Sequence, residues 1–209
     1  MKFGWIGAGN MARAMMKGVI QGGVVPAADV AASDLSDTAL EAASALGVQT
    51  MKDNRALAEQ CGVVVLAVKP QFYACVIDEI APVLPDKALI VTIAPGWTLE
   101  RLQTQFGGER KIVRCMPNTP AMVGEGMTAV CPNGRVSETE LHLVTTLLES
   151  FGKCAVVPER LMDAVVAVSG SSPAYVYMFI EALADAGVYE GMPRDLSYQF
   201  AAQAVLGSA

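Results

Sequence analysis

The amino-acid sequence predicts an α/β fold, in which a mostly parallel sheet over residues 1–157 is followed by an all-helical region over residues 158–209. Three observations predict this arrangement. Short apolar segments alternate with helical stripes through the first region, and such alternation with short loops builds parallel βαβ units. A glycine-rich turn directly follows the first strand. After Pro158 the strand pattern ends and only helical segments remain.

The strands are predicted from short runs of apolar and β-branched residues. Residues 63–68 are a continuous run of valine, leucine and alanine, which is typical of a strand buried on both faces of a parallel sheet. The segments of this kind cover residues 2–8, 30–33, 63–68, 89–93, 111–115, 127–131 and 154–157.

Helices are predicted from apolar spacing and from residues that begin or end helices. Residues 10–21 carry apolar side chains at positions 12, 15, 16, 19 and 20, which form a helical stripe. Ser36 is placed to cap a helix over 37–46 that stops at Gly47. The helices predicted beyond Pro158 cover 159–168, 173–187 and 193–209, with Pro173 and Pro193 in the favoured first turn.

The C-terminal helices predict a partner subunit. The helix over 173–187 is apolar on nearly all sides, so it must be buried, and about 50 residues of helix cannot bury it alone. We therefore expect a homodimer or a larger assembly of dimers. From Leu196 to Ala209 the chain has no charge and no helix-ending signal, so we expect it to be a truncated form of a longer protein.

Composition excludes several classes of protein. With 53% hydrophobic and 17% charged residues, the chain is not disordered. Its longest uncharged stretch in the first 190 residues, 164–180, is interrupted by Gly-Ser-Ser-Pro, so no membrane span is predicted. A net charge of −6 without a cluster of Lys or Arg predicts no nucleic-acid partner. The five cysteines lack Cys-x-x-Cys spacing and glycines interrupt the N-terminal apolar run, so we expect reduced thiols in a cytoplasmic protein.

The turn after the first strand fits the pattern G-x-G-x-x-G/A. Its first glycine makes the tight turn, its second lets a pyrophosphate approach the backbone, and Ala12 permits close packing of helix and strand. Free N–H groups at the helix start can then bind phosphate. An ordinary tight turn is the alternative, but the context of strand, turn and helix favours a Rossmann-like dinucleotide site. The pattern consists of Gly7, Ala8, Gly9, Asn10, Met11 and Ala12.

Asp34 ends the second strand, 25 residues after Gly9. An acid near this position hydrogen-bonds the adenosine ribose 2′-hydroxyl of NAD. A 2′-phosphate would be repelled there, and no Arg or Lys occurs from 18 to 51. These observations predict a preference for NADH over NADPH; in the alternative, Asp34 only caps the next helix.

Three more loops follow strand ends, on the edge where parallel sheets bind ligands. Residues 67–70 and 93–96 combine proline, glycine and alanine, which keep a rigid backbone close to a flat ring. In residues 114–120 two prolines frame amide and hydroxyl groups that can position a ligand. The alternatives are a solvated lysine for Lys69 and a structural turn for 114–120.

Missing residue types also narrow the chemistry. The single histidine, His142, lies in a helical stretch and is predicted at the surface. No Gly-x-Ser-x-Gly elbow, metal-ligand cluster or paired catalytic cysteine occurs. No lysine follows Lys153, which disfavours a 3-hydroxyacid dehydrogenase. Reduction of a carbonyl needs a proton donor, whereas a protonated C=N bond accepts hydride directly. The scarcity of titratable groups in this sequence therefore favours imine reduction.

Four ordered motifs resemble the pyrroline-5-carboxylate reductase family. The resemblance spans the whole chain. The segments that carry it are Ala67-Val68-Lys69-Pro70-Gln71, Arg114-Cys115-Met116-Pro117-Asn118-Thr119-Pro120, Ser169-Gly170-Ser171-Ser172-Pro173-Ala174-Tyr175, and the later pieces Gly187-Val188, Gly191-Met192-Pro193-Arg194 and Ala201-Ala202-Gln203.

The resemblance implies reduction of 1-pyrroline-5-carboxylate to L-proline with NADH or NADPH, the last step of proline biosynthesis. It implies that Glu159 is the acid near the substrate and nicotinamide, although an exposed acid at a helix start is the alternative. The residues implied in dinucleotide binding are Gly7, Ala8, Gly9, Asn10, Met11, Ala12, Ser33, Asp34, Asn54, Ala67, Val68, Lys69, Pro70, Ala94, Pro95 and Asn118.

Two departures from the family pattern bear on these expectations. Asp34 and Leu35 stand where many members have groups for a 2′-phosphate, which argues against NADP. The family's Ser-Pro-Gly-Gly-Thr-Thr segment, which holds the substrate carboxylate and supplies a hydroxyl beside the imine nitrogen, does not occur within the 209 residues. The alternatives are another imine or hydroxyacid oxidoreductase, and a non-catalytic dimeric relative that only binds nucleotide.

Overall fold

A computed structural model describes all 209 residues and places eight strands in a single sheet. The strand order across the sheet is β3-β2-β1-β4-β5-β6-β7-β8. The strands are β1 (Phe3–Ile6), β2 (Val30–Ser33), β3 (Gln49–Met51), β4 (Val63–Leu66), β5 (Leu89–Thr92), β6 (Lys111–Met116), β7 (Gly126–Pro132) and β8 (Gly152–Val156).

The first six strands are parallel, which confirms the mostly parallel sheet. β7 runs antiparallel to β6, and β8 is parallel to β7. The reason is the connection between β6 and β7, which holds only a short 3-10 turn, Thr119–Val123, and not a crossover helix. A parallel neighbour needs a crossover of about a dozen or more residues, so the chain turns back.

Helices cover both faces of the sheet. One face buries α1, α2 and α6, and the other buries α3, α4 and α5. Successive residues of β4 alternate between these two cores, so this strand is buried on both faces as its sequence predicts. The helices are α1 (Asn10–Gln21), α2 (Asp37–Ser44), α3 (Asn54–Gln60), α4 (Tyr73–Ile80), α5 (Leu99–Gln105), α6 (Glu138–Glu149), α7 (Met162–Val165), α8 (Ser172–Tyr189) and α9 (Arg194–Ser208).

Several boundaries differ from the prediction. The first strand ends at Ile6 because Gly7 has a positive φ of 99°. Ser36 caps α2 as predicted, with its hydroxyl accepting from the Ala39 N–H. Residues 159–168 are not one helix: they form a 3-10 turn, then α7, and then a π-helical turn over Val166–Gly170. The short edge strand β3 carries little apolar patterning and is absent from the prediction.

The helices α8 and α9 form a hairpin that leaves large apolar side chains exposed. The two helices approach closely where a Cβ on Gly187 would lie 2.2 Å from the Ser197 hydroxyl, which itself donates to the Ala184 carbonyl. Only Pro173 and Ala184 of α8 are buried, so this chain alone does not bury the helix. The large exposed apolar and aromatic residues on the hairpin are Tyr175, Val176, Tyr177, Met178, Phe179, Leu183, Tyr189, Leu196, Tyr198, Phe200 and Leu206.

Two further features concern the chain as a whole. None of its helices combines the length and apolar character that crossing a membrane requires. All five cysteines are free thiols, and burial raises the pKa of Cys61 to about 11. Such a thiol is protonated at neutral pH and acts as a small apolar side chain.

The start of α6 predicts a pH-dependent contribution to stability. Ser137 and Glu140 form a capping box, and Lys111 pairs with the Glu140 carboxylate. Partial burial raises the pKa of Glu140, but the bonds from Lys111 and Ser137 outweigh it, so the net pKa lies below its usual value. We expect Glu140→Gln to lower the free energy of unfolding at pH 7 by about 1–2 kcal/mol.

The loss of unfolding free energy in Glu140→Gln is complete above the ordinary pKa of a carboxyl group. It disappears as the pH falls through the lowered pKa of Glu140 in the folded protein, because protonation abolishes the ion pair. Urea unfolding of both proteins between pH 7 and pH 3 measures it. Glu138→Gln, at an exposed position in the same first turn, is the matched control. A deficit that stays constant with pH would contradict the assignment.

Candidate active site

The two glycines of the turn after β1 have different surroundings. A Cβ on Gly7 would lie 2.7 Å from the Ala67 carbonyl oxygen, and its φ is positive, so only glycine fits there. A Cβ on Gly9 would meet no atom within 4 Å. The first glycine therefore lets two backbone segments cross, and the second leaves open space beside the helix.

The beginning of α1 faces this space without a side-chain cap. Arg13 N–H makes the first helical bond, to the Gly9 carbonyl, so the N–H groups of the three preceding helical residues have no intrahelical partner. The Arg13 side chain turns aside to bond the Ala8 carbonyl and the Asn10 amide oxygen. Free donors at a helix N-terminus bind phosphate groups, so this turn fits a dinucleotide pyrophosphate.

Asp34 joins the end of β2 to the glycine turn. Its Oδ2 accepts from the Ala8 N–H at 2.8 Å, and its Oδ1 accepts from the Ser36 N–H at 2.9 Å. Ser36, and not Asp34, caps α2, so the alternative in which Asp34 only caps that helix is wrong. The carboxylate is thus fixed beside the turn by two backbone donors and keeps lone pairs for a further donor.

A chain of side-chain hydrogen bonds extends from the end of β2. The Ser33 hydroxyl, which is fully buried, donates to the Asn54 amide oxygen at 2.7 Å. The Asn54 amide nitrogen donates to Glu79 on α4 at 2.8 Å. Asn54 begins α3, so this chain fixes its amide at the sheet edge.

Two buried aromatic residues hold the loops after β4 and β5, and the sequence interpretation missed both. The Tyr73 hydroxyl donates to the Leu66 carbonyl and accepts from the N–H groups of Ile93 and Ala94. The Trp97 indole donates to the Pro70 carbonyl at 3.1 Å. Their sequence signal is only that of apolar core residues, because the polar partners are backbone groups.

Burial strongly raises the pKa of Tyr73, so its hydroxyl stays protonated and serves as a hydrogen-bonding group. It is therefore no candidate for a general base.

An ion pair between a buried arginine and a partly exposed glutamate connects the sheet to the C-terminal part of the chain. Glu159 Oε1 accepts from Arg114 of β6 at 2.8 Å and from the N–H of Leu99, the first residue of α5, at 2.7 Å. Arg114 is only 3% exposed, and its Nε has no hydrogen-bond partner. An arginine within an apolar strand was the signal that could have indicated this pair from the sequence.

Glu159 begins a 3-10 turn, but its carboxylate is held by Arg114 and by the Leu99 N–H and so is not a free acid at a helix start. Its side chain, one-third exposed, borders a groove of about 710 Å³ between α5 and the ends of β7 and β8. Cys131, Pro132 and Pro158 line the same groove.

Asn118, after β6, has both polar atoms engaged. Its amide oxygen accepts from the Met127 N–H at 2.8 Å, and its amide nitrogen donates to the Ser169 carbonyl at 3.1 Å. It thereby links the start of β7 to the π-helical turn, which is a structural bond within the loop. His142 is exposed on α6, as predicted.

The residues expected to bind a dinucleotide lie along one edge of the sheet, because parallel strands end on the same side. Lys69 and Pro95 are exposed there, whereas Ala94 is buried. No group of three or more His, Cys, Asp or Glu side chains is arranged to hold a metal ion. The positions at this edge are 7–12 after β1, 33–34 at the end of β2, 54 after β3, 67–70 after β4 and 94–95 after β5.

Comparison with known proteins identifies the family. Residues 159–209 match the family model described as pyrroline-5-carboxylate reductase dimerisation, and residues 2–96 match that described as NADP oxidoreductase coenzyme F420-dependent. The pyrroline-5-carboxylate reductase of Escherichia coli is 43% identical over 209 residues, which are 100% of this chain and 78% of that protein. The chain belongs to the pyrroline-5-carboxylate reductase family.

Further relatives agree with this assignment. The pyrroline-5-carboxylate reductase of Pisum sativum is 37% identical over 206 residues, 99% of this chain and 75% of that protein. The crystal structure of the Plasmodium falciparum enzyme, which has NADP bound, superposes with a TM-score of 0.90 at 35% identity, covering 100% of this chain and 77% of that one.

As a pyrroline-5-carboxylate reductase family member, the chain is an oxidoreductase with a nicotinamide dinucleotide site, and the resemblance stated from its motifs is confirmed. A 3-hydroxyisobutyrate dehydrogenase of Mycobacterium tuberculosis is 15% identical with a TM-score of 0.63, over 90% of this chain and 64% of that one, which shows a shared fold alone.

Proposed function

We propose that this protein reduces 1-pyrroline-5-carboxylate to L-proline with a hydride from NADH or NADPH. The observation that carries the proposal is the glycine turn, in a chain of this family, with open space at Gly9 and uncapped N–H groups at the start of α1. Under this proposal residues 1–157 bind the dinucleotide and residues 158–209 contribute to the substrate site and to the dimer.

The residues of the chain act mainly by binding and orientation. The first turn of α1 holds the pyrophosphate, while Asp34 and Asn54 hold the adenosine ribose and buried Ser33 positions the Asn54 amide. The loops 67–70 and 94–95 hold the other end of the cofactor, which supplies a hydride when bound. Alignment of two reactants in this way contributes as much as about 7–11 kcal/mol to lowering a barrier.

The chemistry needs few proton-transferring groups. A protonated C=N carbon accepts hydride directly, and the product amine keeps the proton already on nitrogen. Buried Tyr73 is held in hydrogen bonds to backbone groups and does not supply a proton. Two roles stay predictions: Glu159 as an acid near the substrate and Asn118 as a cofactor ligand. Both side chains form hydrogen bonds within the protein.

We also propose that a second copy of this chain covers the hairpin of α8 and α9. The support is the set of exposed tyrosine, phenylalanine and leucine side chains on both helices, which an isolated chain leaves in water. The dimerisation family model matches the same residues. Such a homodimer would bury an apolar core like that of an obligate interface.

We expect the enzyme to prefer NADH over NADPH. The Asp34 carboxylate, fixed by the N–H groups of Ala8 and Ser36, can accept from a ribose 2′-hydroxyl but repels a 2′-phosphate. Asp34→Ser should reduce kcat/KM for NADH and raise it for NADPH, and shift the NADH/NADPH ratio by about tenfold or more. Steady-state assays with both cofactors measure this ratio.

Asp37→Ser is the control for the Asp34 experiment. It removes one negative charge from the same part of the chain, but Asp37 is exposed and pairs with Lys52. The control should leave the cofactor ratio unchanged. A tenfold advantage for NADPH in the unmodified enzyme would refute the proposed preference.

The activity itself is tested by L-proline-dependent reduction of NAD and NADP at alkaline pH. The assay should use the 209-residue chain and also a form carrying any residues that follow Ala209 in its natural sequence. Activity in either form supports the proposal. Tight NADH binding without proline-dependent turnover in both would instead indicate another imine substrate or a non-catalytic nucleotide-binding relative.

A further inference from the structure

We propose that Tyr73 and Trp97, here called the aromatic brace, are positioning residues that set the separation of the two loops at the nicotinamide end of the cofactor. The inference rests on the proposed function, in which the loops 67–70 and 93–96 hold that end. Both side chains are buried, so the brace acts through the backbone that it holds and not by direct contact with a ligand.

Tyr73 lies where the strands β4 and β5 separate. The Ile93 N–H is 3.4 Å from the Leu66 carbonyl, which is a weak end to the ladder. The Tyr73 hydroxyl is inserted at this point: it donates to Leu66 at 2.6 Å and accepts from Ile93 and Ala94 at 3.2 Å each. A side chain from α4 thus ties together the two strand ends from which the loops emerge.

Trp97 ties the loops themselves. Its indole N–H donates across to the Pro70 carbonyl, and its ring lies 5.3 Å from the Tyr73 ring at an interplanar angle of 34°. The Arg101 guanidinium lies over the Trp97 ring, 3.8 Å from its centroid. Tyr73 and Trp97 are 0% and 3% exposed, so packing leaves neither ring free to move.

This arrangement fixes the separation of the two loops, on which the distance between the carbons that exchange hydride depends. The reacting carbons must lie close and aligned, and a displacement of about 1 Å at such a site costs as much as about 100-fold in rate. Each loop leaves its own strand and leads to its own helix, α4 after 67–70 and α5 after 93–96, so the contacts between the two loops help to set their separation. Tyr73 makes one hydrogen bond to the end of β4 and two to the residues that follow β5. Trp97 makes one more between the two loops.

Tyr73→Phe and Trp97→Phe test the inference, because each keeps an aromatic ring and removes the hydrogen bonds. The probes are NADH and ADP-ribose, with binding measured by calorimetry on the full chain. ADP-ribose has the adenosine, pyrophosphate and ribose but no nicotinamide. We expect the Kd for NADH to rise about threefold to tenfold in each variant, and the Kd for ADP-ribose to change less than about twofold.

Trp5→Phe is the matched control. Trp5 is 1% exposed, lies on the opposite face of the sheet in the core that buries α1, and its indole nitrogen has no hydrogen-bond partner. This variant loses a buried indole and packing area like Trp97→Phe, so both should melt at a lower temperature. Only the brace variants should weaken the binding of NADH more than that of ADP-ribose, which separates positioning from general destabilisation.

The outcomes separate the inference from the proposed function. An equal loss of affinity for NADH and ADP-ribose in the brace variants, or no loss for either, overturns the positioning role. An unmodified chain that binds neither ligand contradicts the proposed function itself. We expect Tyr73→Phe and Trp97→Phe to weaken the binding of NADH but not that of ADP-ribose, and Trp5→Phe to bind both ligands as the unmodified chain does.

Discussion

We expect Gly9→Val to weaken dinucleotide binding strongly and to leave the chain folded. Gly9 has φ −68° and ψ −177°, a conformation open to any residue, and a Cβ there meets nothing within 4 Å. The valine methyl groups would instead fill the space beside the start of α1. We expect the affinity for NADH to fall on the order of 100-fold, equivalent to about 2.7 kcal/mol.

Two other glycines control the Gly9 experiment. Gly108→Val, in the loop beyond α5, also adds a side chain into open space and should leave NADH binding unchanged. Gly7→Ala should lower stability by about 1–3 kcal/mol, because its φ is positive and the new Cβ would meet the Ala67 backbone. Thermal unfolding and NADH titration measure both quantities. A Gly9→Val protein that binds NADH normally would show that the pyrophosphate lies elsewhere.

The second large effect concerns the ion pair between Arg114 and Glu159. Glu159→Ala leaves the Arg114 guanidinium, whose side chain is 4% exposed, without an anion and removes the acceptor from the Leu99 N–H. Removal of one partner of a buried pair costs about 3–5 kcal/mol. Because Glu159 itself is one-third exposed, denaturant unfolding should show a smaller loss, of about 2–3 kcal/mol.

Further variants decide what Glu159 does. Glu159→Gln keeps an oxygen for both donors, so we expect a loss of only about 1–2 kcal/mol. Replacing both partners, as Arg114→Met with Glu159→Ala, should recover part of the stability, because no charge is left buried. If Glu159 anchors the chain, Glu159→Gln keeps most of the activity. If it is an acid at the substrate, Glu159→Gln loses activity while remaining folded.

Much of the fold was predictable because it depends on local patterns. The valine-rich run of β4, the stripe of α1 and the Ser36 cap each follow from the properties of a few neighbouring residues. The direction of β7 was harder, because it depends on the length of a connection and not on the strand's own residues. The π-helical turn over Val166–Gly170 was not predictable, since Asn118 holds it from a distant loop.

The candidate site, like the fold, has features that the sequence predicts and features that it does not. The glycine turn could be predicted because its spacing has one structural explanation in its context, whereas Tyr73 and Trp97 carry no motif. Their partners are backbone groups of other segments, which only folding brings near. The role of Glu159 likewise depends on Arg114, 45 residues earlier in the chain.

The sequence by itself determined the α/β class, the family and the place of the dinucleotide turn. These depend on periodicity, on glycine's conformational freedom and on ordered motifs, all of which are properties of neighbouring residues. Only the tertiary structure decided which buried polar groups pair: Asp34 with the Ala8 N–H, Glu159 with Arg114, and Tyr73 with two strand ends. Such pairing requires that distant segments meet in a space without water, where each buried donor and acceptor must find a partner.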